Sequence, residues 1–488
     1  MIVFNDIPTS IRTPFTYIEF DATKAGGGLP QFPTKLLVIG QMLTAGTYPA
    51  LVPQLITNVD QAGIGFGYGS HLHAMIQRVR QNNAYTETYA IGVPDLGAGV
   101  KAAWTVNLTG TVPGETGLLS LYIGGRRVQV RVKPGETADT VATNLLTAIA
   151  LENDLPVTAT RAGSILTLQA RNAGEGGNEI DLRTAYYPGE RMPGGVVVAI
   201  TQTVTGAGNP DLATVLAAIG GEHYEFLIVP WTDPANMAVL DDWLLTASGP
   251  TVMREAIAFT ARRGSLAQLS TWGNARNNQF VSCMGFNKSP TPAYEWAAAY
   301  GAVAAFHLPI DPARPIHTLI LKGLLPPPSG DRFRKDEQNI LLYDGVATFM
   351  VTSDGQVQIQ REITTYQKNA WGQADAAWLD VQTPATLSFL RKDIRFLIES
   401  KFPRHKLADN GTRILAGQPI VTPDLLKDEL IARALVWESV GLVENIDTFK
   451  REIVVERDIA DRNRVNALIP TNLVNQFRVF AGQLQFII

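Results

Sequence analysis

Gly63, Gly65, Gly67 and Gly69 are the nearest approach in this chain to a phosphate-cradling loop. Such a loop needs Gly-x-Gly-x-x-Gly between a strand and a helix, so that backbone N–H groups close on a pyrophosphate. Here the third glycine is missing and no strand clearly feeds the run, so the spacing predicts a tight turn before a helix. Gly-x-x-x-x-Gly-Lys-Ser/Thr does not occur. The possible bases are His71, His73, His223, His307, His317 and His405, yet Gly-x-Ser-x-Gly is absent. His223 and Asp233 flank an expected strand, and no serine sits in a strand-to-helix turn near them. His71 and His73 are two apart, which on a helix points their rings to different sides. With no third ligand nearby, packed or solvated histidines are expected rather than a metal pair. Asp311-Pro-Ala-Arg-Pro315 reads as a Pro-rigidified loop held by a local salt bridge. The single Cys283 excludes a disulfide framework within the chain and any multi-cysteine metal site, and suits a reducing cytoplasm. The expectation is therefore no catalytic residue, no cofactor and no metal: not an enzyme.

The sharpest charge pattern belongs to a helix. In Asp380-Val-Gln-Thr-Pro-Ala, Thr383 is placed as N-cap and Pro384 in the first helical position. Leu387, Leu390, Ile394 and Leu397 recur at helical spacing, Arg391, Lys392 and Arg395 fall off that stripe, and Pro403 ends the run. From 391 to 406 there are six Lys or Arg against two Asp or Glu. One side is apolar and the other cationic.

The elements around that helix follow from similar punctuation. Val357-Gln-Ile359-Gln-Arg361-Glu-Ile363 alternates and, with Thr364-Thr365-Tyr366, reads as a strand. Thr422-Pro423 opens a second helix, striped by Leu426, Leu430, Ala434 and Trp437 and closed at Gly441. A charged strand, Phe449 to Arg457, and a polar turn, 458–466, come next. From Phe477 to Ile488 the alternation changes phase at Gly482, which predicts a bulge or break between two short strands.

At 488 residues, two to four domains are expected. A net charge of −4 argues against a general nucleic-acid binder. The first residues lack a basic region and a sustained apolar run, so no secretion signal is expected. Trp296–Leu308, the most apolar run, is too short to cross a bilayer. A soluble cytoplasmic product is the expectation.

Residues 1–24 read as an arm. Pro8 and Pro14 disfavour helix, and Phe15-Thr-Tyr-Ile-Glu-Phe20 has the composition of a strand; 24–33 is a Gly- and Pro-rich joint. A strand at 35–40, a helix at 70–81 and a strand at 88–93 begin a β-α-β pattern. It resumes after Gly206 with helices at 211–219, 234–246, 264–272 and 292–306 and strands at 224–230, 255–261 and 279–286. Such alternation predicts a mostly parallel sheet covered on both faces. Between the halves, 105–205 has a different texture: Leu119, Leu121 and Ile123, then Val128, Val130 and Val132, a helix at 137–151, and strands at 157–160 and 164–170. It reads as an inserted α+β domain with its own core. The fold class is thus multidomain α/β: a central domain (25–104 and 206–355), an inserted domain (105–205), an α+β C-terminal domain (356–472), and a terminal strand (473–488).

Val357–Tyr366, Asp380–Thr383, Lys401-Phe-Pro-Arg-His-Lys-Leu407 and Val474-Asn-Gln-Phe-Arg478 resemble the tail sheath proteins of contractile-tailed bacteriophages, in particular the Mu-like branch. Upstream, Phe4-Asn-Asp-Ile-Pro8, Phe66-Gly-Tyr-Gly-Ser70, Ala207-Gly-Asn-Pro-Asp211, Pro230-Trp-Thr-Asp233 and Leu308–Pro315 extend the resemblance over essentially the whole chain. No piece is a chemical signature; their order and co-occurrence make the match specific.

The resemblance implies a subtilisin-like central domain, an insertion projecting away from the tail axis, and a structural subunit that polymerises and contracts to drive a tube through the host envelope for genome ejection. It implies that Arg391, Lys392, Arg395 and Lys401 face an acidic inner tube. It also implies that the arm (Phe15, Tyr17, Ile18, Phe20) and the terminal strand (Phe477, Val479, Leu484, Phe486) add to a neighbour's C-terminal sheet, with Ile453 and Val455 on the accepting strand. The implied partners are copies of itself, the tail tube protein, and baseplate and terminator proteins, without direct nucleic-acid contact or membrane insertion. Its place would be the virion, after assembly in the host cytoplasm. A phage-derived bacteriocin or secretion-type device remains an alternative, and an α/β hydrolase-like enzyme a remote one.

Overall fold

Six consecutive buried residues, Leu36 to Gln41, make β1 (Lys35–Gln41) a central strand of the main sheet. The computed structural model describes residues 32–110, 116–187, 189–413, 415 and 417–487. The expected arm, with Phe15, Tyr17, Ile18 and Phe20, therefore lies outside the described residues. The described chain falls into two compact units, 34–388 with 476–487, and 32–33 with 389–475.

In the first unit, β1 is followed by β2 (Gln54–Leu55), α1 (Val59–Phe66), α2 (His71–Asn82) and β3 (Glu87–Val93). The glycine run is not the expected single turn: Gly63 and Gly65 lie inside α1, and only Gly67 and Gly69 take positive φ, 91° and 77°. The rings of Tyr68 and Tyr48 press on Gly63 and Gly65 where a Cβ would sit. Those glycines admit aromatic side chains, not a phosphate.

The insertion holds β4 (Ala103–Thr109), β5 (Gly117–Ile123), β6 (Arg126–Val132), α3 (Ala138–Leu151), β7 (Val157–Ala162), β8 (Ile165–Ala170), β9 (Leu182–Thr184) and β10 (Val197–Val204). Its strands form sheets of order β10-β4-β8-β7 and β6-β5-β9. The alternating valines of β6 and Val141, Leu145 and Ile149 of α3 share one separate core.

The first unit resumes with α4 (Leu212–Ile219), β11 (Phe226–Ile228), α5 (Pro234–Ala247), β12 (Ile257–Arg263), α6 (Leu266–Asn274), β13 (Val281–Phe286), α7 (Ala293–His307), α8 (Lys335–Tyr343), β14 (Thr348–Val351) and β15 (Val357–Arg361). The main sheet has order β13-β12-β11-β1-β3-β2, and all its pairs are parallel except β2 with β3. Leu36, Val38, Phe226 and Phe259 pack on α2 and α7, while Leu37, Ile39, Leu227 and Val281 pack on α4, α5 and α6. Both faces are therefore covered, as a parallel sheet requires. The Ala-rich run becomes α7, buried from Ala293 to Ala305, as expected for a helix apolar on every side. Among the described residues no helix is long and apolar enough to cross a membrane.

α9 (Gln382–Lys401) begins one residue before Thr383, so that threonine is in the first turn and not the N-cap. After β16 (Lys406–Leu407) and β17 (Ile420–Val421), α10 (Pro423–Ser439) has the expected cap: Thr422 accepts from Leu425 N–H, and Gly441 follows with φ 76°. α11 (Ile446–Glu452), β18 (Val454–Arg457) and β19 (Val465–Leu468) complete the second unit. Phe449 to Glu452 were expected in a strand but are helical. Asp447 in the first turn and Lys450 and Arg451 in the last complement the helix dipole. Residues 474–487 form no strand, and among the described residues no sheet edge receives them.

Candidate functional site

The residues with chemical potential in the first unit are held by ordinary packing. His71 stacks on Tyr294 with ring centroids 4.5 Å apart, and burial pushes its pKa down to about 4. His73, beside Tyr68, is pushed down to about 4 by burial and by Arg126. Burial pushes the Cys283 thiol up to about 12, which leaves it protonated and unreactive. His223 Nε2 meets the Glu255 carbonyl at 2.8 Å, and Asp233 caps α5 by accepting from Asn236 N–H. Asp311 accepts from Ala313 N–H at 3.2 Å, and Arg314 N–H bonds the Asp311 carbonyl. A backbone turn thus replaces the expected Asp311–Arg314 salt bridge. Among the described residues no group of three His, Cys, Asp or Glu could hold a metal.

In open α/β sheets ligands bind outside the carboxyl ends of the strands, where strand order reverses. Here the chain runs from β1 to β3 and returns on the other side of β1 at β11. That edge is closed by a polar seam. Gln41 donates to the Ala173 carbonyl (2.6 Å), Asp95 accepts from Asn172 Nδ2 (2.9 Å) and Ala173 N–H (2.8 Å), and Asn209 bridges Glu175 (3.1 Å) and Asp233 (2.8 Å). The insertion's own loop occupies the ligand position.

In the second unit α9 and α10 are joined by a group that sequence reading missed. Asp393 is fully buried and takes both arms of Arg433, with Nε at 2.6 Å, and the Trp437 indole N–H at 2.6 Å. The cationic side of α9 is present: Arg391, Arg395 and Lys401 are exposed and Lys392 is half-buried. Arg395 pairs with Glu399 (2.7 Å) and Lys401 with Glu429 (2.5 Å).

β18 and β19 form an antiparallel hairpin with Val454 opposite Leu468 and Val455 opposite Ala467. Ile453 is not on that strand: it closes α11 and is buried in its own unit. Val455 is half-buried, whereas Val454 and Leu468 are 47% and 64% exposed. Their pairing puts an apolar step on the hairpin surface.

The last described residues are exposed and apolar: Phe477, Val479, Phe480, Leu484 (94%), Phe486 (79%) and Ile487. Within this run Arg478 turns inward. Its Nη2 lies 2.8 Å from Glu362 Oε1, 3.0 Å from Asp380 Oδ1 and 3.1 Å from Gln382 Oε1. Glu362, fully buried, also accepts from Ile316 N–H (3.0 Å) and Gln382 Nε2 (2.7 Å). Gln476 donates to the Ala313 carbonyl at 3.2 Å. Parts of the sequence pieces 308–315, 357–366 and 380–383 meet residues 476–478 here, though they are distant in the chain.

Two family descriptions match the chain: "Phage tail sheath protein central domain" over residues 205–365, and "Phage tail sheath C-terminal domain" over 373–487. The chain is 43% identical over 487 residues to the Mu-like prophage FluMu tail sheath protein of Haemophilus influenzae, covering 100% of both. Among solved structures it is similar to the sheath tail protein of Desulfitobacterium hafniense (14% identity, 94% of this chain and 100% of that one, TM-score 0.48). It is also similar to the sheath tail protein of Listeria innocua (11%, 93% and 94%, TM-score 0.49).

Proposed function

The chain belongs to the phage tail sheath family, and from that premise we propose that it is the structural subunit of a contractile tail sheath, without enzymatic activity. Copies stack around a rigid tube in helically arranged rings, and the sheath shortens to drive the tube through the host envelope. A sheath must stay connected while its rigid contacts slide. Donated strands meet that need: the N-terminal arm (Phe15, Tyr17, Ile18, Phe20) and the C-terminal segment (Phe477, Val479, Leu484, Phe486) add to the hairpin sheet of neighbouring C-terminal domains. The edge containing Val455 is the acceptor, and Ile453 anchors its root. About five ladder hydrogen bonds per arm, at ~1 kcal/mol each, give a few kcal/mol before ordering costs. The observation that carries this reading is the exposed apolar run from Phe477 to Ile487, unpaired with any strand of its own chain among the described residues.

The finer parts belong to the same proposal. Arg391, Lys392, Arg395 and Lys401 face the tube, exchanging intrachain carboxylates for the tube's; exposed pairs of about 0–1 kcal/mol each hold without preventing release. The central domain (25–104 and 206–355) is subtilisin-like, supported by its parallel sheet with helices on both faces. The insertion (105–205) projects outward. The C-terminal domain (356–472) faces the tube, flanked by the arm (1–24) and terminal strand (473–488). Assembly takes place in the host cytoplasm, the finished sheath is part of the virion, and baseplate and terminator proteins meet its ends. Contraction energy is a difference between two packings of the same subunits, the extended one kinetically trapped.

Electron microscopy of the purified protein tests the reading. Hollow tubes or sheath-like polymers are expected. A chain lacking residues 479–488 should fold, with its thermal midpoint unchanged, and remain unassembled. Normal polymers from the truncated chain would refute strand donation.

A further inference from the structure

The terminal segment has a fixed root. Residues 479–487 form no strand and are exposed, yet immediately before them the Arg478 side chain is only 11% exposed and lies among Glu362, Asp380 and Gln382. Asp380 is shared with Arg361 at 3.4 Å, and Gln382 also donates to the Arg314 carbonyl. The site thus ties two separate stretches of the first unit to a single guanidinium, and a third, at Arg314, through Gln382. A single nitrogen, Nη2, makes all three contacts, and the guanidinium charge offsets the buried Glu362 carboxylate.

We propose that Arg478 is the anchor of the donated segment: only the residues after it pass to a second copy, so that Phe477 stays with the donor and the donated side chains are Val479, Leu484 and Phe486, and the pull on them enters the donor's α/β body through the Arg478–Glu362–Asp380 cluster. This rests on the strand-donation reading and adds where the donated length begins. The ten residues 479–488 span at most about 33 Å when extended. The anchor therefore limits how far a neighbour's hairpin can lie from the donor body.

The test uses two variants. Arg478→Met removes the charge; Arg478→Met with Glu362→Gln removes both charges, so a folded form is available even if an unpaired buried carboxylate unfolds the single variant. Spin labels at Val479→Cys and Ser353→Cys, with buried Cys283 left unlabelled, report the root's position in subunits kept unassembled by dilution. The unsubstituted root should give a narrow distance distribution, and the folded variants a broad one, with polymer mass at fixed concentration lowered at least tenfold. Arg478→Lys should recover part of that loss.

A distribution unchanged by the substitutions would overturn the proposal, as would a broadened one accompanied by polymers of normal mass. Should the chain truncated after Arg478 polymerise normally, strand donation itself fails. The spin-label distances would then still show whether Arg478 fixes the root.

Discussion

The main sheet and the β18–β19 hairpin treat their edges differently. The outer edge of β13 is occupied within its own unit: Ala347 N–H bonds the Cys283 carbonyl (2.8 Å), Gly285 N–H bonds the Ala347 carbonyl (3.0 Å), and Thr365 N–H bonds the Val281 carbonyl (2.8 Å). Among the described residues, neither outer edge of the hairpin takes a ladder bond. Unpaired edges invite further strands and are usually blunted by charge. Glu456 and Arg457 supply charge on β18, but Val454 and Leu468 leave an apolar step. One region completes itself; the other has unpaired edges, which the strand-donation proposal fills from a neighbouring copy.

The largest effect that would sharpen this contrast lies between α9 and α10 of the hairpin's own unit. Asp393→Ala leaves Arg433 and the Trp437 N–H without their buried acceptor, and should cost the second unit about 3–5 kcal/mol. Denaturant unfolding followed by far-UV circular dichroism would measure it, and polymers should be lost with the unit. A double change on the apolar step, Val454→Glu with Leu468→Glu, should leave unfolding within about 0.5 kcal/mol. It should nevertheless lower polymer yield in sedimentation about tenfold, equivalent to ~1.4 kcal/mol of association. Equal losses in stability and assembly would erase the distinction between the two regions.

Smaller effects belong to the self-completed region. Burial pushes the Asp241 carboxyl up to about 6, with Arg276 opposing. A carboxyl whose folded pKa exceeds its unfolded value binds protons on folding, so stability falls as pH rises from about 4 to about 6 and then levels off. Asp241→Asn should raise the thermal midpoint by about 2–4 °C at pH 7.5 and little at pH 4.5, with assembly unaltered. Smallest is Arg391→Glu with Lys392→Glu: folding stays intact, and co-sedimentation with tail tubes weakens by roughly 1 kcal/mol per charge or less, fading as salt rises.

Local chemistry made much of this fold legible. Asp233-Pro234 and Thr422-Pro423 cap and open α5 and α10 where their residue types require, and alternating apolar residues mark the inserted strands. Long-range pairing was not legible. Asp393 looked like one of two acids on a cationic helix, because its partner Arg433 is 40 residues away. Arg478 looked like one polar position in an alternating tail, because Glu362 lies 116 residues upstream. At Phe449–Glu452 a period-two pattern competed with the charge order of a short helix, and the buried Phe449 decided for the helix. For the terminal run, alternation indicated a strand, but a strand needs a partner and among the described residues none pairs with it.

The most direct measurement is a cryo-electron microscopy map of the assembled polymer. The account predicts residues 479–487 of each copy as a strand hydrogen-bonded to the β18–β19 hairpin of a neighbouring copy. A map in which that segment lies against its own molecule, with the hairpin edges bare, would contradict it.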